Sequence, residues 1–300
     1  MPRLGLGTLR LAGFNGYGPP PNRARAREVL MRAVELGVRL IDTADAYGPD
    51  VVEELIADSL RPYPDDLVIA TKGGQTRPSR LTWRPDGDPA HLRRACEASL
   101  RRLVLERIDL YQLHTFDSAV PFEETVGALA ALRDEGKIRH VGLSNVPVEQ
   151  LRRAQAIVPI VSVQNRLNLV DREDSVVDYC ADHGIAYLCW FPLGRGDLVR
   201  PNRRIEAVAR KHEATIAQVA LAWLLARSVV TVPIPGTASP AHVEENMQAL
   251  ELRLDADDLE SLEGVELEGR AALRRRARTA ARRALHSTRH AAERLRSGKS

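Results

Sequence analysis

Short apolar runs and amphipathic stretches alternate along most of this chain. Seven apolar runs are rich in β-branched residues and have the length of buried strands; they lie at 38–41, 67–71, 108–113, 140–143, 160–163, 185–190 and 229–234. A run at 4–11 is interrupted by glycines. The intervening stretches carry apolar residues at i, i+3 and i+4, and several end in glycine, which predicts helices. This alternation predicts parallel strands joined by helical crossovers.

Eight such strand-and-helix units in roughly 250 residues have the size of a closed barrel. An open doubly wound sheet is the alternative, and one that binds a dinucleotide begins with G-x-G-x-x-G. The glycine pairs at 5–7 and 194–196 lack the third glycine of that pattern. We therefore predict an α/β fold, a (β/α)₈ TIM barrel over residues 1–268, with a basic helical extension over 269–300.

Two connections, 11–23 and 73–90, are long and rich in Gly, Pro and Arg. Both follow a predicted strand, so in a barrel both lie at the C-terminal face, where active sites are built. We expect them to form the walls of a substrate pocket, with three aromatic residues as substrate contacts: Phe14, Tyr17 and Trp83.

Charge is unevenly distributed along the chain. The net charge is +3, but residues 270–300 contain ten arginines, Lys299 and one acid, which leaves −7 for residues 1–269. An acidic barrel argues against a core that binds nucleic acid. Three alternatives remain for the basic segment: a solvated extension, a tether to nucleic acid or an anionic membrane, and docking on the acidic barrel.

Cysteine and histidine spacing predicts no metal site. There are three cysteines and no C-x-x-C or H-E-x-x-H pattern. No apolar run approaches the ~20 residues of a membrane helix, and the N-terminus lacks the pattern of a signal peptide. A cytoplasmic protein is the resulting expectation.

Residues suited to proton transfer stand just beyond several predicted strands. Asp42 and Tyr47 follow one strand, Lys72 a second and His114 a third. A tyrosine titrates near pH 10 on its own, and a neighbouring ammonium group lowers that pKa. Asp42 is positioned to pair with Lys72, and His114 to orient a substrate oxygen. The set suits protonation of the oxygen that forms when a hydride reaches a carbonyl carbon, and a cofactor must bring that hydride.

A second group of polar residues follows the next strands. Ser144, Asn145 and Gln164 offer hydroxyl and amide groups that suit a carboxamide. Trp190 ends the following strand and offers a flat face on which a heteroaromatic ring stacks.

Seven motifs in this order resemble the aldo-keto reductases across about residues 4–265: IDTADAYG (41–48), ATKGG (70–74), LYQLH (110–114), VGLSN (141–145), VQNRLN (163–168), FPLGRG (191–196) and VPIPGTASPAHVEEN (232–246). The resemblance implies a (β/α)₈ barrel and reduction of aldehydes and ketones with NADPH or NADH. It implies a catalytic tetrad of Asp42, Tyr47, Lys72 and His114, with Tyr47 as the proton donor. The residues that it assigns to the cofactor are Ser144, Asn145, Gln164, Trp190, Pro192, Gly194, Gly236, Thr237, Glu245 and Asn246.

The sequence departs from the family pattern where the coenzyme phosphate is expected. Gly236 replaces a phosphate-binding lysine, and His242 replaces the arginine that usually holds the 2′-phosphate. NADPH is the expected coenzyme and NADH an open alternative. Ser239 and Pro240 have the pattern of an N-cap and first helical residue, so backbone N–H groups remain available for a phosphate.

Within the family, the motifs look most like bacterial pyridoxal-reductase-type members, which makes pyridoxal one candidate substrate and an unidentified aldehyde the other. A barrel that binds the nucleotide for regulation, with little turnover, is the alternative function. The complete tetrad argues against it.

Overall fold

The computed structural model describes residues 3–172, 175–200 and 202–265. The predicted basic extension at 269–300 lies outside these residues, so its helical character and its contacts stay predictions.

Eight of the ten strands in this part of the chain pair in parallel as one sheet. The strands of that sheet, in spatial order, are β1 (Leu6–Gly7), β2 (Leu40–Asp42), β3 (Val68–Gly73), β6 (Ile108–Leu113), β7 (Ile138–Ser144), β8 (Ile160–Arg166), β9 (Ala186–Trp190) and β10 (Thr231–Pro233). Spatial order follows chain order, so each crossover connects neighbouring strands. The C-terminal ends of all eight strands therefore meet at one rim.

Two backbone hydrogen bonds join the outer strands of this sheet. Gly5 N donates to Pro233 O at 3.0 Å, and Gly7 N donates to Pro235 O at 3.2 Å. A Cβ atom at Gly7 would lie 2.7 Å from Ile234 O, so only glycine permits this approach. The curled sheet closes, which confirms the predicted barrel and excludes the open sheet.

The described ranges contain ten α-helices: α1 (Arg23–Glu35), α2 (Val51–Leu60), α3 (Pro89–Leu103), α4 (Phe122–Asp134), α5 (Val148–Gln155), α6 (Ser175–Asp182), α7 (Arg203–Lys211), α8 (Ile216–Arg227), α9 (Pro240–Gln248) and α10 (Ala256–Glu263). Eight correspond to predicted helices, whereas α7 and α10 were not predicted. Asp255 and Asp258 form a capping box at the start of α10, a sequence signal that was available. None of these helices is both long and apolar enough to cross a membrane.

The apolar core lies mainly between the sheet and the helices. Its central members include Val126, Leu129 and Val163, each with no exposed surface. A smaller cluster fills the barrel interior, with buried residues from four strands and from the position that follows β10: Leu40, Ala70, Leu110, Leu188 and Ile234. Because the interior is packed with side chains, an active site is expected at the rim of the barrel rather than inside it.

The connection at 73–90, which the sequence predicts as a loop at the pocket wall, contains regular secondary structure. It contains an antiparallel hairpin of β4 (Gln75–Ser79) and β5 (Thr82–Pro85). Pro78 argues against a strand at this place in the sequence. In the structure the register is irregular between Thr76 and Ser79, so the side chains there do not alternate regularly. Asn15 Nδ2 donates to Arg80 O at 2.7 Å, which ties the hairpin tip to the 14–16 turn beyond β1.

Candidate active site

The parallel strands bring the predicted catalytic residues together. Asp42 ends β2, Lys72 lies near the end of β3, and His114 directly follows β6. Tyr47 lies in the turn after β2, where Tyr47 N donates to Ala44 O at 3.0 Å. Gly48 follows it with φ +99°, and a Cβ atom there would approach Val51 Cβ to 2.7 Å. Glycine at 48 therefore allows the tight return into α2 that points the tyrosine inward.

Lys72 and Asp42 form a buried ion pair. Their side chains are 1% and 3% exposed, and Lys72 Nζ lies 2.8 Å from Asp42 Oδ2. Lys72 also donates to Thr43 O at 2.7 Å, and Gln164 Nε2 donates to Asp42 Oδ1 at 2.7 Å. Burial acts to lower the pKa of Lys72, but Asp42 and Tyr47 more than offset it, and the pKa is raised. The lysine is therefore an ammonium group at neutral pH.

Tyr47 lies against this ammonium group. Its hydroxyl is 3.5 Å from Lys72 Nζ, and the residue is 8% exposed. Burial raises the pKa of Tyr47, and this outweighs the lowering by Lys72. The expectation of a lowered pKa was therefore wrong in its net direction, because desolvation of the phenolate exceeds the attraction of a lysine already paired with Asp42. The hydroxyl carries its proton at neutral pH, as a proton donor must.

His114 completes the cluster as a neutral imidazole. Its ring centroid lies 5.9 Å from that of Tyr47 and 5.9 Å from that of Trp83. Burial, followed by the charges of Lys72 and Arg77, holds its pKa well below the usual value of 6.5. Its Nδ1 atom is buried and has no hydrogen-bond partner in the described part of the chain.

The residues assigned to a carboxamide lie beside His114. Asn145 Nδ2 is 3.0 Å from both His114 O and Ser144 Oγ, and Ser144 Oγ donates to Gln164 O at 2.8 Å. Asn145 is exposed and has φ +61°, which turns its side chain back over the rim. The amide nitrogen of Gln164 donates one of its two N–H groups to Asp42 and so supports the ion pair, while its contact with a carboxamide stays a prediction.

Trp190 and the turn after β9 form another part of the rim. The Trp190 and Phe191 rings meet edge to face, 4.8 Å apart. Trp190 Nε1 is buried and lacks a hydrogen-bond partner among the described residues. Asn168 Nδ2 donates to Phe191 O at 3.1 Å and holds this turn, in which Pro192 and Gly194 are buried. The indole face and its unpartnered N–H are suited to a stacked ring with polar substituents.

The turn after β10 meets two arginines that the sequence analysis missed. Arg25 of α1 donates to Ala238 O at 3.2 Å and lies 3.4 Å from Ser239 Oγ. A Cβ atom at Gly236 would lie 3.4 Å from Arg10 Cγ, so Arg10 flanks the same turn. No local signal links these arginines to residues more than 200 positions away; only the closed barrel does.

The other residues predicted in this region lie on the same turn and helix. Gly236 is exposed and Thr237 buried, and Thr237 Oγ1 accepts from Ser239 N at 3.0 Å. The predicted start of α9 is correct, with Ser239 as N-cap, although its hydroxyl makes no capping bond within the described residues. Asn246 is buried, and Glu245 is half-buried with its carbonyl bound to Gln218 Nε2 at 3.0 Å.

The aromatic residues predicted as substrate contacts do not all reach the cluster. Trp83 lies against it, with its ring 6.5 Å from that of Tyr47. Tyr17 faces Arg77, whose guanidinium carbon is 5.5 Å from the Tyr17 ring centroid. Phe14 is 76% exposed at the outer edge.

A buried glutamate behind the cluster was also missed. Glu53 of α2 has no exposed surface and accepts from Thr71 Oγ1 at 2.5 Å and Arg102 Nε at 2.7 Å. Thr71 precedes Lys72 on β3, so this carboxylate braces the strand that carries the lysine. Burial raises the pKa of Glu53 despite these partners.

Comparison with known proteins agrees with this geometry. The model of the aldo/keto reductase family matches residues 3–266. The chain is 42% identical over 273 residues to pyridoxine 4-dehydrogenase of Escherichia coli, a match that covers 89% of this chain and 95% of the relative.

Solved structures of family members share the fold. A thermostable aldo-keto reductase crystallised with the inhibitor epalrestat is 33% identical, with a TM-score of 0.77 over 88% of this chain and 94% of that one. An aldo-keto reductase of Klebsiella pneumoniae in complex with NADPH is 27% identical, with a TM-score of 0.75 over 90% of this chain and 93% of that one. The protein thus belongs to the aldo/keto reductase family of NAD(P)H-dependent oxidoreductases.

Proposed function

We propose that this enzyme reduces an aldehyde or ketone to the alcohol, with Tyr47 as the proton donor. The observation that carries the proposal is the Tyr47 hydroxyl, protonated and 3.5 Å from an ammonium group that Asp42 holds in place. A buried donor with this support loses its proton only when negative charge forms beside it.

The rim fits a nicotinamide coenzyme. The Trp190 face and the amide and hydroxyl groups of Asn145 and Ser144 match the ring and its carboxamide. The bound coenzyme supplies the hydride for the carbonyl carbon. The protein supplies the rest: Tyr47 gives its proton to the carbonyl oxygen, and Lys72 stabilises the phenolate that remains.

His114 is assigned a positioning role. As a neutral imidazole it donates a hydrogen bond to the carbonyl oxygen without competing as the acid. Its ring meets both Tyr47 and Trp83, so an oxygen that accepts from it lies within reach of the tyrosine hydroxyl.

Pyridoxal is the substrate that we propose first, with pyridoxine as the alcohol. Support comes from the 42% identity to the Escherichia coli pyridoxine 4-dehydrogenase, which spans nearly the whole of that relative. Trp83 provides an aromatic wall next to the tetrad, consistent with a flat ring beside the reacting carbonyl.

For the coenzyme, we propose that Arg25 and Arg10 replace the cations absent at Gly236 and His242. Arg25 reaches the start of α9, where backbone N–H groups and the helix dipole favour a phosphate. Two arginines there favour NADPH over NADH.

The first test compares the wild type with Tyr47→Phe. We expect NADPH-dependent reduction of pyridoxal by the wild type and a loss of about 10²- to 10⁴-fold in kcat for the variant, because the proton donor is gone. Coenzyme affinity, measured by quenching of protein fluorescence, should stay within about twofold. A wild type that binds NADPH but reduces neither pyridoxal nor 4-nitrobenzaldehyde contradicts the reductase assignment and favours the regulatory barrel.

The second test addresses the coenzyme. Arg25→Ala should weaken NADPH binding by roughly tenfold and leave NADH binding unchanged, since a charged hydrogen bond contributes about 1.5–3 kcal/mol. Arg23→Ala is the matched control, because Arg23 begins the same helix but pairs with Asp58. Equal effects of Arg25→Ala on both coenzymes would contradict a phosphate contact.

A further inference from the structure

A buried arginine that the tetrad does not use lies on the hairpin. Arg77 of β4 is 6% exposed. Its guanidinium donates to the carbonyl oxygens of Arg80 at 3.1 Å, Asn15 at 3.3 Å and Gly16 at 3.4 Å. It thereby ties the hairpin to the turn beyond β1.

Arg77 has no acidic partner. Across the described ranges, Arg77 forms no ion pair with a carboxylate, and the side chains against its guanidinium are the rings of Tyr17 and Trp83. Its Nε atom is buried and has no hydrogen-bond partner in the same residues. A buried charge without a counter-ion is unusual, because desolvation is normally offset by an opposite charge.

The positive charge lies one ring away from the reaction centre. The Arg77 guanidinium carbon is 3.6 Å from the Trp83 ring centroid, and Trp83 contacts both Tyr47 and His114. Stacking on an aromatic face stabilises a guanidinium group but does not neutralise it. The Lys72 charge is balanced by Asp42, so Arg77 leaves one uncompensated positive charge at the substrate side of the tetrad.

We infer that the natural substrate carries a negatively charged oxygen group near its carbonyl, a carboxylate or an ionised phenolic hydroxyl, and that Arg77 selects it. This inference rests on the proposed reductase function. An anion there supplies the missing counter-charge for a guanidinium whose Nε–H has no hydrogen-bond partner among the described residues. Pyridoxal, with a phenolic hydroxyl next to its aldehyde, belongs to this class.

The test uses two substrates that differ in charge. The ratio of kcat/KM for 4-formylbenzoate to that for methyl 4-formylbenzoate is measured in the wild type, Arg77→Met, Arg77→Lys and Arg80→Met. Taking a ratio of ratios cancels the different intrinsic reactivity of the acid and the ester. Arg80→Met is the matched control, because Arg80 is an exposed arginine on the same hairpin.

We expect Arg77→Met to lower the acid-to-ester ratio by about 10- to 100-fold, the range expected for a charged contact. Arg77→Lys should retain part of the preference, and Arg80→Met should leave it unchanged. An unchanged ratio in Arg77→Met overturns the inference, as does a ratio that falls equally in Arg80→Met. If Arg77→Met fails to fold, the acid-to-ester ratio of Arg77→Lys tests the inference. Lysine lacks the planar guanidinium group, so this ratio should still be lower than in the wild type.

Two further measurements distinguish a failure of this inference from a failure of the proposed function. Reduction of the methyl ester that persists in Arg77→Met upholds the reductase whatever the charge preference. An NADPH dissociation constant that rises tenfold in Arg77→Met would assign Arg77 to the coenzyme and overturn the substrate inference.

Discussion

Two buried cations flank Tyr47, and their surroundings differ. Lys72 has a carboxylate 2.8 Å away, and both oxygens of that carboxylate are bound. Within the described residues, Arg77 contacts backbone carbonyls and the rings of Trp83 and Tyr17, but no carboxylate. The lysine is complete within the chain and supports proton donation by the tyrosine. The charge of the arginine is balanced only when an anion binds beside it, which suits recognition of a ligand.

The two charges act together on one residue. Burial is the main reason that the pKa of His114 is low, and Lys72 and Arg77 lower it further. The imidazole therefore stays neutral between two cations and offers a hydrogen bond rather than a proton.

The largest expected effect comes from removing each cation in turn. Lys72→Met leaves Asp42 as a buried, unpaired carboxylate and should cost about 3–5 kcal/mol in the free energy of unfolding. Arg77→Met leaves only carbonyl oxygens unpaired and should cost less, about 1–3 kcal/mol. Urea denaturation of the two variants measures the difference. Equal losses would contradict the distinction between a paired and an unpaired cation.

A double variant sharpens this result. Lys72→Met combined with Asp42→Leu removes both charges, and it should recover part of the stability that Lys72→Met loses. No recovery would mean that lost packing, rather than the orphaned carboxylate, explains the single variant.

A smaller effect is expected in the pH dependence of stability. The folded-state pKa of His114 lies well below 6.5. Below about pH 6.5 the unfolded state therefore binds a proton at this imidazole that the native state does not bind. This contribution to stability is present above about pH 6.5 and is lost as the pH falls below it, with a slope of up to about 1.4 kcal/mol per pH unit. His114→Gln should flatten the acid side of the urea stability profile between pH 5 and pH 6.5. The same slope in wild type and variant would show that other groups cause the acid sensitivity.

The eight strands were predictable because they are buried on both faces and therefore form continuous apolar runs, and the eight helices because each buries one face along its length. Periodicity missed α7, whose apolar residues Ile205, Val208 and Ala209 occupy only two turns of an otherwise charged stretch. It also missed the β4–β5 hairpin, because a short hairpin with a proline carries little alternation. Aligned strand ends explain why the tetrad was predictable: each member stands at a fixed place relative to a strand.

The chain's own order of residues thus determined the barrel and the meeting of Asp42, Tyr47, Lys72 and His114. Only the tertiary structure decided the sign of the Tyr47 pKa shift, since desolvation depends on what surrounds the hydroxyl. It also decided which cations are paired: Arg25 reaches α9 and Arg77 stacks on Trp83 through contacts that no local pattern encodes. Short-range periodicity sets the elements, whereas charge balance in a buried site is a property of the closed fold.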